Sequence, residues 1–110
     1  MRRDIFQAIA DPTRRAILVL VATQAMTPNA IAEHFDIRRQ SISKHLRILS
    51  ECDLLAHKQE GREIFYTLKI DKMKEIDMWL EQFRKIMLQQ FQQLDEVLYT
   101  LKNKNNEPPV

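Results

Sequence analysis

Residues 27–50, TPNAIAEHFDIRRQSISKHLRILS, decide how this chain folds. Thr27 can accept a hydrogen bond from a first-turn backbone N–H, and Pro28 suits the first helical position because its missing N–H would be unpaired there anyway. A helix is predicted from here to about Phe35, with Ile31, Ala32 and Phe35 as its inner stripe. Asp36-Ile37 makes the turn, since Asp tolerates turn conformations better than most residues. A second helix follows over about residues 39–50. Ile42, Leu46 and Leu49, at i, i+4 and i+7, face inward, while Arg39, Gln40, Ser43, Lys44 and Arg47 form the opposite face. No acidic residue occurs from Arg38 to Ser50. Two short helices joined by a tight turn, the second one basic, make the pattern of a helix-turn-helix. The second helix is then expected to enter the major groove of double-stranded DNA.

Upstream, RDIFQAIA (3–10) places Ile5, Phe6, Ile9 and Ala10 on one face at helical spacing. Asp11-Pro12 repeats the cap-plus-proline signal and opens a helix to about Thr23. Its nearly continuous apolar residues predict burial on most sides, and Gln24-Ala25-Met26 reads as a connector. Downstream, LLAHKQ (54–59) and IFYTL (64–68) flank Glu60-Gly61-Arg62-Glu63, which holds the only glycine of the chain. That is a β-hairpin signal. A hairpin directly after a recognition-type helix is a wing, with Lys58 and Arg62 expected at its tip.

From Asp71 to about Lys102 the periodicity changes. Met73, Leu80, Met87, Leu94 and Leu101 recur every seven residues, and Ile76, Phe83, Gln90 and Val97 recur three residues later. This is a heptad pattern with one polar interruption, at Gln90, widened by Trp79, Ile86, Phe91 and Leu98. A helix over 71–102 is roughly 48 Å long. That exceeds what a small winged domain can cover, so part of the stripe is expected to meet another chain. The tail, residues 103–110, is polar and proline-ended and is expected to be disordered. One domain over 1–102 follows, containing the C-terminal helix.

Composition narrows the classes. One Gly and four Pro in 110 residues favour helices over long loops. A net charge of only +2 means that nucleic-acid affinity must come from local placement of charge. The single cysteine, Cys52, excludes an internal disulfide and any metal site built from several thiolates, and one thiol fits a reducing cytoplasm. The longest apolar run, residues 16–22, is too short for a bilayer, which needs about 20 residues. No membrane partner, targeting segment or cofactor is expected. No nucleophile–base arrangement, phosphate loop or paired carboxylates can be found, so an enzyme is not expected.

DPTRRAIL (11–18), the IAEHF…SISKHLRIL block and the hairpin ending in EIFYTL resemble the ArsR–SmtB family of winged-helix repressors. The resemblance covers about residues 5–83. It implies a homodimeric transcriptional repressor that binds an inverted-repeat operator and pairs through its first and last helices. It therefore implies a dimer interface containing Ile5, Phe6, Ile9, Met73, Ile76, Trp79, Leu80, Phe83 and Met87. Many members sense metals, through cysteines on the helix before the recognition helix or through Asp, His and Glu on the last helix. Here the first of these helices has no cysteine and the last no histidine. The chain looks like the metal-independent members, and the helix beyond Phe83 is longer than the compact family pattern.

Within the basic helix, Gln40, Ser43 and Lys44 are expected to reach base edges, with Arg39 or Arg47 able to take guanine bidentately. Arg38, Lys58 and Arg62 suit phosphates or the minor groove, and Ser41 is at most a phosphate contact. His45 reads as a half-buried packing residue beside Leu46. Cys52 reads as a small residue at a helix-to-strand junction; Glu51 and Asp53 flank it and would raise its pKa, against a redox switch. Two other functions compete. One is an effector sensor with its ligand at the dimer interface near Met78 and Trp79; the other is a winged-helix module that binds a protein and no DNA. The expected fold is mainly α with a two-stranded β-hairpin: a winged helix-turn-helix with a long C-terminal dimerisation helix.

Overall fold

The computed structural model describes residues 4–106, which fall into two compact units divided between Ile76 and Asp77. The first contains α1 (Ile5–Ile9), α2 (Pro12–Thr23), α3 (Pro28–Ala32), α4 (Arg39–Glu51), β1 (Leu55–Glu60), β2 (Glu63–Leu68) and the first residues of α5 (Met73–Asn106). The second is the remainder of α5.

Side-chain caps define the helix starts. Asp4 and Gln7 form a reciprocal capping box on α1, at 2.9 and 3.2 Å. Asp11 accepts from the Arg14 N–H at 3.0 Å, and Thr27 Oγ1 from the Ala30 N–H at 3.1 Å, so both cap-plus-proline signals open helices as expected. The two arginines of DPTRR close the preceding helix. Arg14 donates to the carbonyls of Ala8 (2.6 Å) and Gln7 (3.1 Å), and Arg15 to that of Ile9 (2.8 Å). These carbonyls belong to the last turn of α1, where helical partners run out; that of Gln7 also accepts the Ala10 N–H at 3.3 Å.

The core of the first unit is continuous. Ile17 of α2, Ile31 of α3, Ile42 and Leu49 of α4, and Leu54 before β1 are completely buried, with Leu46 almost so. The inner stripe predicted for α4 is thus its buried stripe. α2 is less enclosed than its composition suggests. Ile17, Leu18 and Val21 are buried, but Val19 is 68% exposed, so one side of this helix faces outward. α3 is shorter than expected. It ends at Ala32, and the chain continues to Phe35 through tight i→i+3 bonds, His34 N–H to Ile31 and Phe35 N–H to Ala32.

α4 ends in a Schellman motif. Asp53 adopts φ +62°, its N–H bonds to the Ser50 carbonyl, and the Leu54 N–H returns to Leu49 at 3.0 Å. Both apolar partners of the motif, Leu49 and Leu54, are buried. The Asp53 carboxylate accepts from Lys69 Nζ at 2.7 Å, which fastens the helix end to the strand exit. β1 and β2 pair antiparallel, from Leu55↔Leu68 to Glu60↔Glu63, around Gly61 and Arg62. Gly61 has φ +63° while Arg62 does not, which is the pattern of a type II′ turn, whose first central position favours glycine. Met26, expected to be only a connector residue, exchanges both backbone hydrogen bonds with Tyr66 (3.0 and 2.8 Å) and so gives the wing a short third rung.

α5 runs on through Asn103, Lys104, Asn105 and Asn106, where a disordered tail was expected. Nothing in those residues breaks a helix; the first proline after them is Pro108. The remainder of that expected tail, 107–110, and the predicted helix start at Arg3 lie outside the described residues.

Two stability outcomes follow. The left-handed conformation at Asp53 tolerates glycine and penalises a β-carbon. Asp53→Ala should therefore be about 1 kcal/mol less stable than Asp53→Gly in urea unfolding, although neither variant can pair with Lys69. The second outcome concerns acid. The hydrogen bond from Lys69 holds the Asp53 carboxyl below its ordinary range. At Asp11 burial pushes upward but is outweighed by the Arg14 N–H bond and by the charges of His45 and Arg14, so its pKa is also lowered. A depressed folded-state pKa stabilises above the unfolded value, about 3.9, and this stability is lost as pH falls through the folded one. Urea midpoints measured from pH 5 to pH 2 should decline less steeply for Asp11→Asn/Asp53→Asn than for the unsubstituted chain.

Candidate nucleic-acid interface

The candidate site is the face of α4 opposite its buried stripe. Arg38, Arg39, Gln40, Ser43, Lys44 and Arg47 are exposed there, and Ser41 is half-buried at the edge. This follows from helical geometry. Once Ile42, Leu46, Ile48 and Leu49 are sunk in the core, the opposite side of the helix turns to the surface. The start of α4 is unusual. Arg38 occupies the cap position with no side-chain hydrogen bond, and the first turn holds no acidic residue. Basic side chains oppose the helix dipole at an N-terminus, while unpaired first-turn N–H groups suit anions. The end of the helix is thus built against its own local preference and in favour of an anionic partner.

Arg39 is held rather than free-swinging. Its Nε donates to Asn29 Oδ1 at 2.8 Å and its Nη1 to Ser43 Oγ. Asn29 lies on α3, so this contact joins the two helices of the helix-turn-helix. Asn29 escaped sequence reasoning; its only signal is its place two residues after the Thr27 cap. His45 is half-buried as expected, and it is also tied to the start of α2. Its Nδ1 lies 3.3 Å from Arg14 Nη1 and 4.0 Å from Asp11 Oδ2. Arg14, read from the sequence only as part of a family motif, therefore links the end of α1 to the recognition helix.

On the wing, Arg62 sits in the turn, whereas Lys58 pairs with Phe65 on the third rung below it, so only Arg62 is at the tip itself. Lys58 is highly exposed and lies 3.7 Å from Glu60. Arg39 and Arg62 both line a cleft of about 190 Å³ between the start of α3 and the wing.

The residues assigned to pairing divide into two groups. Ile5 is 4% exposed, inside the core of its own unit. Phe6, Ile9, Met73 and Ile76 pack against that core while keeping part of their surface open. In the second unit, Trp79, Leu80, Phe83 and Met87 are 40–49% exposed, and the apolar stripe continues exposed to Leu101. Trp79 and Phe83 stack edge to face at 4.8 Å. Arg84 bonds Asp77 at 2.8 Å and Glu81 at 2.6 Å, which neutralises its charge beside the stripe. The stripe runs Leu80, Phe83, Met87, Phe91, Leu94, Leu98, Leu101, at spacings of three, four, four, three, four and three. The consecutive fours form a stutter that carries the seam past Gln90 to Phe91.

Among the described residues no three His, Cys, Asp or Glu side chains converge on a metal-sized site, and no helix is long and apolar enough to cross a membrane.

Comparison with known proteins places this geometry. A family model described as a helix-turn-helix domain matches residues 9–58. The transcriptional repressor SdpR of Bacillus subtilis is 40% identical over 80 residues, covering 73% of this chain and 89% of that protein. The regulator CmtR of Mycobacterium tuberculosis is 39% identical over 62 residues, 56% of this chain and 52% of its own. Among solved structures, an ArsR-like transcriptional regulator from Rhodococcus sp. RHA1 superposes with a TM-score of 0.69 at 25% identity, covering 87% of this chain and 88% of that one. With its basic recognition helix, its wing and this shared sequence, the chain belongs to the ArsR–SmtB family of winged-helix transcriptional regulators.

Proposed function

We propose that the chain acts as a homodimeric repressor that reads an inverted-repeat operator in double-stranded DNA. One α4 from each copy would lie in successive major grooves, about 34–36 Å apart. The observation that carries this reading is the exposed face of α4, which holds Arg39, Gln40, Ser43, Lys44 and Arg47 and meets no carboxylate before Glu51, the last residue of the helix. Gln40, Ser43, Lys44 and Arg47 are assigned to base edges. Arg38 and Lys58 are assigned to phosphates or the minor groove, with Ser41 at most a phosphate contact. Pairing is assigned to Phe6, Ile9, Met73 and Ile76 together with Trp79, Leu80, Phe83 and Met87, supported by the exposed apolar stripe of α5. A helix lacking cysteine before α4 and histidine in α5 supports a regulator without the usual metal ligands. A DNA-binding role assigns the chain to the cytoplasm, and its single thiol, Cys52, fits a reducing compartment.

A gel shift with the DNA upstream of the chain's own gene tests the reading, and binding should weaken steeply with salt. Lys44→Ala or Arg47→Ala should each cost about 1–3 kcal/mol of operator binding by removing a hydrogen bond to a base edge. Unchanged affinity in both variants would remove α4 from the site. No shift of the unsubstituted chain at low salt would favour a protein-binding module.

Light scattering tests the pairing separately. Leu80→Glu and Phe83→Glu place charges in the stripe and should each yield monomers, because an unpaired charge at an apolar seam is costly. A dimer that persists in both variants would exclude this interface.

A further inference from the structure

The cleft between the start of α3 and the wing is lined by Thr27, Asn29, Arg39, Arg62, Glu63 and others, and encloses about 190 Å³. Its lining includes two arginines from different elements, Arg39 on the recognition helix and Arg62 in the hairpin turn. Among the described residues, no carboxylate lies within 4.0 Å of the Arg39 or Arg62 guanidinium, since the ion pairs formed involve other cations. Glu63 also lines the cleft, so the three ionised groups sum to one positive charge. Arg39 has spent Nε on Asn29 and one Nη1 donor on Ser43. Its other Nη1 hydrogen and both Nη2 hydrogens remain as donors. A guanidinium fixed along one edge this way has given up the rotational freedom that probing base edges in a groove requires. It keeps a rigid fork suited to phosphate oxygens.

The geometry points to a phosphodiester clamp: Arg39 and Arg62 together grip one backbone phosphate of bound DNA, and Asn29 is the positioning residue that aims Arg39 into the cleft. This rests on the DNA-binding reading above and moves Arg39 from reading sequence to fixing register. The clamp ties the recognition helix and the wing to the same stretch of backbone, so α4 enters the groove at one depth and angle. Its contribution is independent of base sequence.

That independence makes the test possible without knowing the operator. The probe is a fluorescein-labelled duplex of random sequence, about three helical turns long, titrated by anisotropy between about 50 and 200 mM salt. Arg39→Ala and Arg62→Ala should each weaken binding, and Arg39→Ala/Arg62→Ala together should flatten the plot of log K against log salt by about 0.9, for the one phosphate no longer neutralised. Asn29→Ala should weaken binding several-fold in the otherwise unsubstituted chain and have no further effect in the Arg39→Ala background, because it acts through that side chain. Circular dichroism melting should be unchanged for all three, since every group involved is on the surface. An Arg39→Ala/Arg62→Ala variant that binds random duplex with an unaltered slope overturns the clamp. So does an Asn29→Ala effect of equal size in both backgrounds. If the unsubstituted chain fails to bind this duplex at low salt, the DNA-binding reading falls with it, a result distinguishable because it appears before any substitution is made.

Discussion

Burial of one edge of α4 is the constraint on which the rest depends. Ile42, Leu46 and Leu49 sink against α2, α3 and the approach to β1, where Ile17, Ile31 and Leu54 are completely enclosed. Each such side chain contributes about 1.5–3 kcal/mol by leaving water. That gain holds in place a helix whose start is otherwise unfavourable, with arginines at the positive end of its dipole and no side-chain cap. Tertiary packing thus supports a charge arrangement that local propensity resists. Conflicts of this kind between local and global preference concentrate where a protein meets its partner.

Around α4, charged side chains join one element to the next. The two arginines of DPTRR satisfy the carbonyls at the end of α1, and Arg14 extends from there to His45 on α4. Asp53 turns the chain out of α4 in a left-handed conformation and holds Lys69 at the far end of the hairpin. Asn29 reaches Arg39 across the helix-turn-helix. Few of these contacts are deeply buried, so each contributes modestly to stability. Their larger effect is orientation: they set where the recognition helix and wing stand relative to one another within the first unit.

The second unit follows a different logic. A single helix with an exposed stripe from Leu80 to Leu101 has no core of its own. Most helical stability in proteins comes from packing an apolar face, so a helix of this kind calls for a covering surface. The change from strict heptads to a stutter at Phe83, Met87 and Phe91 matters here. It keeps large apolar groups on one side where the heptad alone would have presented Gln90.

Much of the fold could be read without coordinates. The Asp11-Pro12 and Thr27-Pro28 caps, the buried stripe of α4, the glycine turn of the wing and the long final helix all rest on local chemistry or short-range periodicity. Local patterns specify local structure directly, because the interacting groups lie within one or two helical turns. What the sequence could not disclose depended on groups far apart in the chain. Ile5, Trp79 and Leu80 look alike as apolar residues at helical spacing, yet Ile5 is enclosed and the other two are exposed. Val19 lies in an apolar run but faces outward. Met26 joins the sheet only because Tyr66 arrives beside it. Asn29 became part of the candidate site only when the turn between α3 and α4 brought Arg39 within 2.8 Å of it. The sequence alone therefore determined which elements form and which helix carries the basic face, because periodicity and capping are encoded over a few neighbouring residues. The tertiary structure decided which apolar groups were spent on the core and which arginine was pinned, because burial and long-range hydrogen bonds exist only once distant segments meet.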